Sequence, residues 1–97
     1  MAIAFRLEFT TLRLGDYDAI CKALNFPTDW PDGFIVHGST EVDGQLRVLD
    51  IWETRQQFDG FVANRLPAAM GQAMGDRAEA PNITQMDLHT LYAKAYD

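Results

Sequence analysis

The sequence has little of several features on which whole classes of protein depend. Cys21 is its only cysteine, which excludes an intrachain disulfide and suits a reducing compartment. Eight Lys and Arg residues stand against fourteen Asp and Glu, and the basic residues are scattered along the chain. Proteins that bind nucleic acid or anionic membrane surfaces present concentrated positive charge. The composition therefore predicts neither a nucleic-acid partner nor a membrane partner.

Long apolar runs and metal-ligand spacings are also missing. No window approaches the roughly 20 apolar residues of a transmembrane helix. The first ten residues do not resemble a signal peptide, because Arg6 and Glu8 interrupt their apolar stretch. The two histidines and the cysteine have no short-range ligand spacing, so we predict no metal and no cofactor. These absences lead us to expect a cytoplasmic protein.

The length and apolar content of the chain fit one small globular unit. Residues 1–97 are predicted to form a single domain, since domains of about 100 residues are common. The apolar fraction of 47% is ordinary for a globular protein. A chain this short buries only roughly 60–65% of its unfolded surface. Self-association would bury more, so a dimer is physically reasonable.

The first half of the chain changes from a strand pattern to a helix pattern and then to a loop. Residues 2–10 alternate between apolar and polar side chains, which predicts a strand. Residues 16–25, with Asp16 as the expected N-cap, have helical spacing, and their apolar stripe consists of Tyr17, Ile20, Cys21 and Leu24. Two prolines make the following segment a loop, in which Trp30 either covers an apolar edge or lines the mouth of a pocket.

The centre of the sequence has the pattern of a β-hairpin. Residues 33–42 and 45–53 are both rich in strand formers, and Asp43 and Gly44 separate them. An Asp-Gly pair is a strong hairpin signal, because both central residues of the favoured tight turn need a positive φ. With a two-residue turn, Val42 faces Gln45, and every facing pair of the hairpin follows from that register.

The second half completes a βαββαβ order. Thr54 and Gln57 fit a capping box at the start of a helix, which Pro67 should end or kink. Residues 82–93 are predicted to form the last strand. This order is that of the ferredoxin-like α+β fold, in which two helices cover one face of a four-stranded antiparallel sheet.

The hairpin register predicts that both faces of the sheet carry apolar side chains. On one face, Ile35 is predicted to lie opposite Trp52. The opposite face carries an apolar patch that consists of Phe34, Val36, Leu49 and Ile51. A two-layer domain needs only one apolar sheet face. The second apolar face therefore predicts a partner sheet, and the simplest partner is a second copy of the chain.

The stretch from Gly33 to Met70 resembles small proteins of the dimeric α+β-barrel superfamily, which includes antibiotic-biosynthesis-monooxygenase-like proteins. Its most specific feature is a strand-end motif followed by a helix with aromatic residues, here Trp52, Glu53, Thr54, Phe58 and Phe61. The resemblance implies that two ferredoxin-like sheets pack face to face as a homodimer. It also implies a ligand pocket between the sheet of each subunit and its own helices.

Of the residues associated with the known activities of that superfamily, only one is present in this sequence. Its members include cofactor-independent monooxygenases, haem-degrading enzymes and lactone isomerases. The monooxygenases have an Asn four residues before the strand Trp, where this chain has Val48. The haem degraders have an Asn in the first strand, which is lacking here, and a haem-ligating His on the second helix, where Val62 stands. Because Trp52 alone matches, whether the chain is an enzyme stays open.

One constellation on the first sheet face has the residue types of a catalytic or binding site. His37 is predicted to face Asp50, which would hold the imidazole in one tautomer and favour its charged form. A general base is positioned in this way. Trp52 would stack on a planar ligand, with Ser39 and Trp30 close by. The structural alternative is a satisfied polar pair in a mixed core, with Trp52 filling space under a helix.

Three functions are compatible with these residues. The first is binding of a small hydrophobic or aromatic molecule in a sheet–helix pocket of a dimeric barrel. The second is a cofactor-independent monooxygenase or isomerase in which His37 acts as acid or base with Asp50. The third is a structural dimer without a ligand.

Overall fold

The structure is a computed structural model that describes residues 2–94 of the predicted domain. Its strands are β1 (Ile3–Glu8), β2 (Phe34–Val42), β3 (Gln45–Trp52) and β4 (Asn82–Asp87), and its helices are α1 (Leu14–Leu24), α2 (Arg55–Gly60) and α3 (Leu66–Met74). The strands form one antiparallel sheet in the order β2-β3-β1-β4. The predicted α+β, ferredoxin-like arrangement is confirmed. None of the described helices is long and apolar enough to cross a membrane.

The main core lies between the helices and one face of the sheet. Alternate residues of β1 and β3 point to the same side, as the period of a strand requires. These side chains pack with the apolar stripes of the helices, and the cluster includes Phe5, Leu7, Val48, Trp52, Ile20, Phe58, Leu66 and Met70. The side chains of the opposite sheet face do not belong to this cluster. The helices therefore cover one face only. On the opposite face, which we call the open face, Leu49 and Met86 are exposed, whereas Ala4 and Ile51 are buried.

The start of α1 differs from the prediction by two residues. The helix begins at Leu14 with Arg13 as its N-cap, so Asp16 is not the cap. Asp16 instead lies in the first turn, where its carboxylate accepts the backbone N–H of Arg13 at 3.0 Å. Arg77 also donates to this carboxylate at 2.8 Å. An acidic side chain in the first turn satisfies an unpaired N–H and is favoured by the helix dipole, so the same residue stabilises the helix from a different position.

The hairpin turn has the conformation that the Asp-Gly pair predicts. Asp43 has a φ of 52° and Gly44 a φ of 80°, so both central residues lie in the left-handed region. Arg13 donates to the carbonyl of Gly44 at 3.0 Å and so connects the turn to the start of α1. The predicted register is confirmed from the turn as far as Val36, and His37 lies opposite Asp50.

Beyond Val36, the register shifts by one residue, and this overturns two predictions. Phe34, not Ile35, lies opposite Trp52. The placement of Phe34 on the open face is therefore wrong: its side chain is 6% exposed, and its ring stacks on Trp52 at 4.3 Å. Ile35 is the extra residue of a β-bulge and is 38% exposed. A bulge reverses the alternation of side chains, and here it brings a flat aromatic ring onto the buried indole.

The helical segment after β3 begins as predicted but does not end at Pro67. Thr54 accepts the backbone N–H of Gln57 at 3.1 Å, which confirms the predicted cap. A π-helical turn, Phe61–Arg65, joins α2 to α3 just before Pro67. Proline lacks an N–H and its ring clashes with the carbonyl four residues earlier in an α-helix. A wider π turn relieves that conflict and lets the helix continue to Met74.

The last strand is shorter than predicted. It ends at Asp87, whereas the pattern of residues 82–93 extends further. Asp87 pairs with Ile3, which is the first residue of β1. A longer β4 would have no neighbouring strand to accept its hydrogen bonds, so the ladder stops there.

The loop before β4 is tied to the end of β1 by one carboxylate. Glu79 accepts hydrogen bonds from the backbone N–H and the hydroxyl of both Thr10 and Thr11, at 2.6–2.9 Å. Burial alone would raise the pKa of Glu79, but these four hydrogen bonds lower it from 4.5 to about 2. Because the folded pKa lies below the unfolded one, the stabilisation is complete above pH 4.5 and is lost as the pH falls toward 2.

We expect Glu79→Gln to lower the free energy of unfolding by about 1 kcal/mol at neutral pH, since solvent screens this partly exposed group. At a pH of about 2, the variant and the unchanged protein should differ much less, because Glu79 is then protonated in the unfolded chain and about half protonated in the folded protein. Urea denaturation at the two pH values measures the difference. Glu53→Gln, which changes an exposed carboxylate on the same chain, serves as the control. An equal loss at both pH values would contradict the role of the ionised carboxylate.

Candidate functional site

A cavity of about 60 Å³ lies between the sheet and the helices. Most of its lining is apolar and comes from both layers of the domain, including Leu7 and Val48 from the sheet and Ile20, Leu24, Leu66 and Met70 from the helices. Tyr17, His37 and Asp50 contribute the strongly polar groups to this lining. An apolar cavity with a few convergent polar groups is the common form of a small-molecule site.

The strand register brings His37 and Asp50 into direct contact. Asp50 is 2% exposed, and its Oδ1 lies 2.8 Å from Nδ1 of His37. Its other oxygen accepts the indole N–H of Trp52 at 3.4 Å. A carboxylate accepts hydrogen bonds, so we assign the imidazole proton to Nδ1. Nε2 of His37 is then free to accept a hydrogen bond on the other side of the ring.

Tyr17 extends this contact into a chain of three residues. Its hydroxyl oxygen lies 2.6 Å from Nε2 of His37, and the phenol donates to that nitrogen. Burial raises the pKa of Tyr17 to about 12, although a hydrogen bond with Ser39 acts in the opposite direction. The phenol therefore keeps its proton at neutral pH. Asp50, His37 and Tyr17 form a hydrogen-bonded chain along the wall of the cavity.

The sequence placed Tyr17 on the buried face of α1 but did not predict its role. A signal was available, because a buried Tyr hydroxyl usually finds a hydrogen-bond partner. Which partner it finds depends on how α1 lies over the sheet, and the local pattern does not specify that packing.

Aromatic rings enclose the imidazole from two sides. The ring of Phe26 meets His37 edge-on at 5.1 Å, and the ring of Phe34 does so at 5.4 Å. These rings reduce the access of water to the hydrogen-bonded chain, and a lower local dielectric strengthens its electrostatic interactions. The bulge at Ile35 contributes to this arrangement, because the register shift brings Phe34 beside His37.

Three residues predicted to contact a ligand do not line this cavity. Trp52 is completely buried and contacts Phe34 and Asp50 instead. Ser39 shares the face of His37 but is exposed. Trp30 is 43% exposed and stacks on Phe26 at 4.9 Å. The structure therefore places these three residues outside the lining of this cavity, and their contact with a ligand stays a prediction.

Trp30 covers the outside of the cavity wall. Its indole N–H donates to the carbonyl of Phe34, and its ring lies over Phe26, which does line the cavity. Of the two roles considered for Trp30, this placement favours the cover over an apolar edge.

Within residues 2–94, no three His, Cys, Asp or Glu side chains come together as a metal site requires.

Solved structures share this fold, although no protein-family model and no curated protein matches the sequence. SnoaB, a cofactor-independent oxygenase from Streptomyces nogalater, has a TM-score of 0.67 and 11% identity over 96% of this chain and 98% of its own. NE2512, a protein of unknown function from Nitrosomonas europaea, has a TM-score of 0.66 and 17% identity over 98% and 94%. An antibiotic biosynthesis monooxygenase candidate from Caulobacter crescentus has a TM-score of 0.64 and 20% identity over 92% and 91%. These likenesses confirm the antibiotic-biosynthesis-monooxygenase-like resemblance at the level of the fold.

Proposed function

We propose that the protein binds a small, uncharged, aromatic or hydrophobic molecule in the cavity between its sheet and helices. The observation that carries the proposal is the hydrogen-bonded chain of Asp50, His37 and Tyr17, which runs along an otherwise apolar wall. Such a chain supplies one polar anchor, while the apolar lining supplies most of the contact area. A hydroxyl or carbonyl group of the ligand would bind at the Tyr17 and His37 end.

Replacing Tyr17 by phenylalanine tests the anchor. The change removes one hydroxyl and keeps the ring, so the packing of α1 should be preserved. With 4-phenylphenol as the probe, we expect the Kd to rise about tenfold, as the loss of one buried hydrogen bond implies. Fluorescence titration measures the Kd. Tyr92→Phe is the matched control, because Tyr92 is 91% exposed. Equal affinity of the two variants would contradict the anchor.

The same chain of residues favours proton transfer as a second function. Asp50 fixes the tautomer of His37, so Nε2 is able to accept the proton of Tyr17 while the phenolate oxygen takes a proton from the bound molecule. Isomerisation would return that proton to a different atom of the same molecule. A monooxygenase reaction would start from the same proton removal and would use molecular oxygen as its oxidant, and one structural neighbour, SnoaB, is a cofactor-independent oxygenase. His37 is the acid or base in either reaction.

We further propose that the chain forms a homodimer through the open face of its sheet. One row of paired residues that crosses all four strands of that face is apolar. It consists of Val36, Ile51, Ala4 and Met86. Leu49 is on the same face and is 45% exposed. Towards the other end, Arg47 and Glu8 form an ion pair at 3.3 Å. An apolar patch with a polar border is typical of a protein interface.

Leu49→Arg tests the dimer. A twofold interface would bring two copies of the new charge close together, so we expect the variant to be monomeric at micromolar concentration while the unchanged protein is dimeric. Sedimentation velocity measures the mass of each species. Leu14→Arg is the control, since Leu14 is similarly exposed but lies on α1. An unchanged protein that sediments as a monomer would rule out the proposal.

The predicted cytoplasmic location and the absence of a nucleic-acid partner stay predictions.

A further inference from the structure

A second cavity lies on the outer side of α3, and we call it the outer groove. It measures about 240 Å³ and is lined by Val62, Pro67 and the loop of residues 78–81 on its outer sides. Its inner side consists of Leu66 and Met70, and both residues also line the cavity that contains Tyr17 and His37. A single layer of side chains therefore separates the outer groove from the inner cavity.

One residue of that layer, Met70, is buried but has a side chain that can change its shape. Met70 has an unbranched side chain with three rotatable bonds, which lets it adopt another rotamer without a shift of the backbone. Leu66 directly follows the π-helical turn, and its N–H donates to the carbonyl of Phe61 across five residues. π turns are rare in proteins as a whole, and those that do occur are often found at functional sites. Phe61 itself lines the inner cavity.

The volumes show why the separation matters. The inner cavity, at about 60 Å³, has room for a few water molecules, whereas a cavity that holds benzene measures about 150 Å³. An aromatic ligand therefore needs space beyond the inner cavity. The outer groove has that space, and Met70 is the side chain whose displacement would connect the two.

We propose that the inner cavity and the outer groove are two compartments of one binding site for an elongated, uncharged molecule. Its polar end contacts Tyr17, and its apolar body passes Met70 into the outer groove. This inference rests on the proposed function, because it assumes that the ligand is anchored at Tyr17. It adds the shape of the ligand and the side from which the ligand enters.

The charges beside the outer groove favour an uncharged ligand. Among the residues that the structure describes, Glu79 is the one ionisable side chain in the lining, and its carboxylate accepts hydrogen bonds from Thr10 and Thr11. A carboxylate in this position repels anionic groups, and the net charge of −6 on the whole chain acts in the same direction. Fatty-acid-like anions are therefore disfavoured relative to neutral aromatic or alicyclic molecules of similar length.

Filling the outer groove tests the inference. Ala78 is an exposed lining residue, so Ala78→Trp puts an indole into the groove without changing the core. With 4-phenylphenol as the probe, we expect the Kd to rise at least about tenfold. Ala68→Trp is the matched control: Ala68 is exposed on α3 but does not line the groove, and this variant should bind like the unchanged protein. Ala80→Trp provides a second filling variant if Ala78→Trp lowers the melting temperature.

The outcomes separate the two proposals. If both filling variants bind as tightly as Ala68→Trp while Tyr17→Phe binds weakly, the two-compartment inference is overturned and the anchor at Tyr17 stands. If the unchanged protein does not bind 4-phenylphenol, or if Tyr17→Phe binds it as tightly, the proposed function fails and the inference fails with it. Weak binding by both Tyr17→Phe and Ala78→Trp is the result that supports a single site with two compartments.

Discussion

Replacing Trp52 by alanine is expected to lower the free energy of unfolding by about 3–5 kcal/mol, the range for a buried aromatic residue truncated in a packed core. Trp52 is completely buried. Its indole stacks on Phe34 at 4.3 Å and meets the rings of Phe58 and Phe61 at 5.9 and 5.4 Å. The substitution also leaves Asp50 without one of its hydrogen-bond donors. Urea denaturation followed by far-ultraviolet circular dichroism measures the loss.

The chain contains its own control for this prediction, because its second tryptophan is at the surface. Trp30→Ala removes a side chain that is 43% exposed, so we expect a smaller loss of about 2 kcal/mol. Trp52→Phe keeps an aromatic ring and should retain the fold if the alanine variant does not. Similar losses for Trp52→Ala and Trp30→Ala would contradict the assignment of Trp52 to the centre of the core.

Asp50→Ala is expected to have the second largest effect, a loss of about 3 kcal/mol, since two buried donors lose their acceptor at once. These donors are the Nδ1–H of His37 and the indole N–H of Trp52. Asp50→Asn retains one side-chain oxygen and should lose roughly half as much. Chemical denaturation of both variants at neutral pH gives the two values.

A double-mutant cycle that combines Asp50→Ala with His37→Ala tests whether the contact between these two residues accounts for the loss of stability. If Asp50 stabilises the fold through His37, the double variant should lose less than the sum of the single variants, by about 1 kcal/mol or more. Asp87→Ala is the control for a carboxylate on the same sheet face, because Asp87 is exposed. Strict additivity of Asp50→Ala and His37→Ala would show that the hydrogen-bonded chain does not act as a unit.

The order of the elements along the chain and most of the hairpin register were predictable from local signals. A two-residue turn at Asp43 and Gly44 fixes every facing pair near it, and this is why His37 and Asp50 were placed opposite each other correctly. The signal weakens with distance from the turn. At Ile35, the core decides the register, because burying the ring of Phe34 on Trp52 outweighs regular alternation. A register shift that depends on tertiary packing cannot be recognised from the alternation of apolar and polar residues in the sequence.

The site was predictable only where it lies within the hairpin. His37 and Asp50 are cross-strand neighbours, so the register alone brings them together. Tyr17 reaches them from α1, and its contact depends on the angle and depth at which the helix packs on the sheet. The sequence left open whether Pro67 ends or kinks the second helix, because no single residue specifies the π turn that accommodates the proline.

The π turn also bears on how such a site changes during evolution. Relative to an uninterrupted α-helix, a π turn contains one additional residue, and each residue of an α-helix rotates its successors by about 100°. The wider turn absorbs the additional residue, so Leu66 and Met70 keep nearly the orientation that an uninterrupted α-helix one residue shorter would give them. A helix of this kind therefore accepts the insertion of one residue at the edge of the site while the same side chains continue to line both cavities.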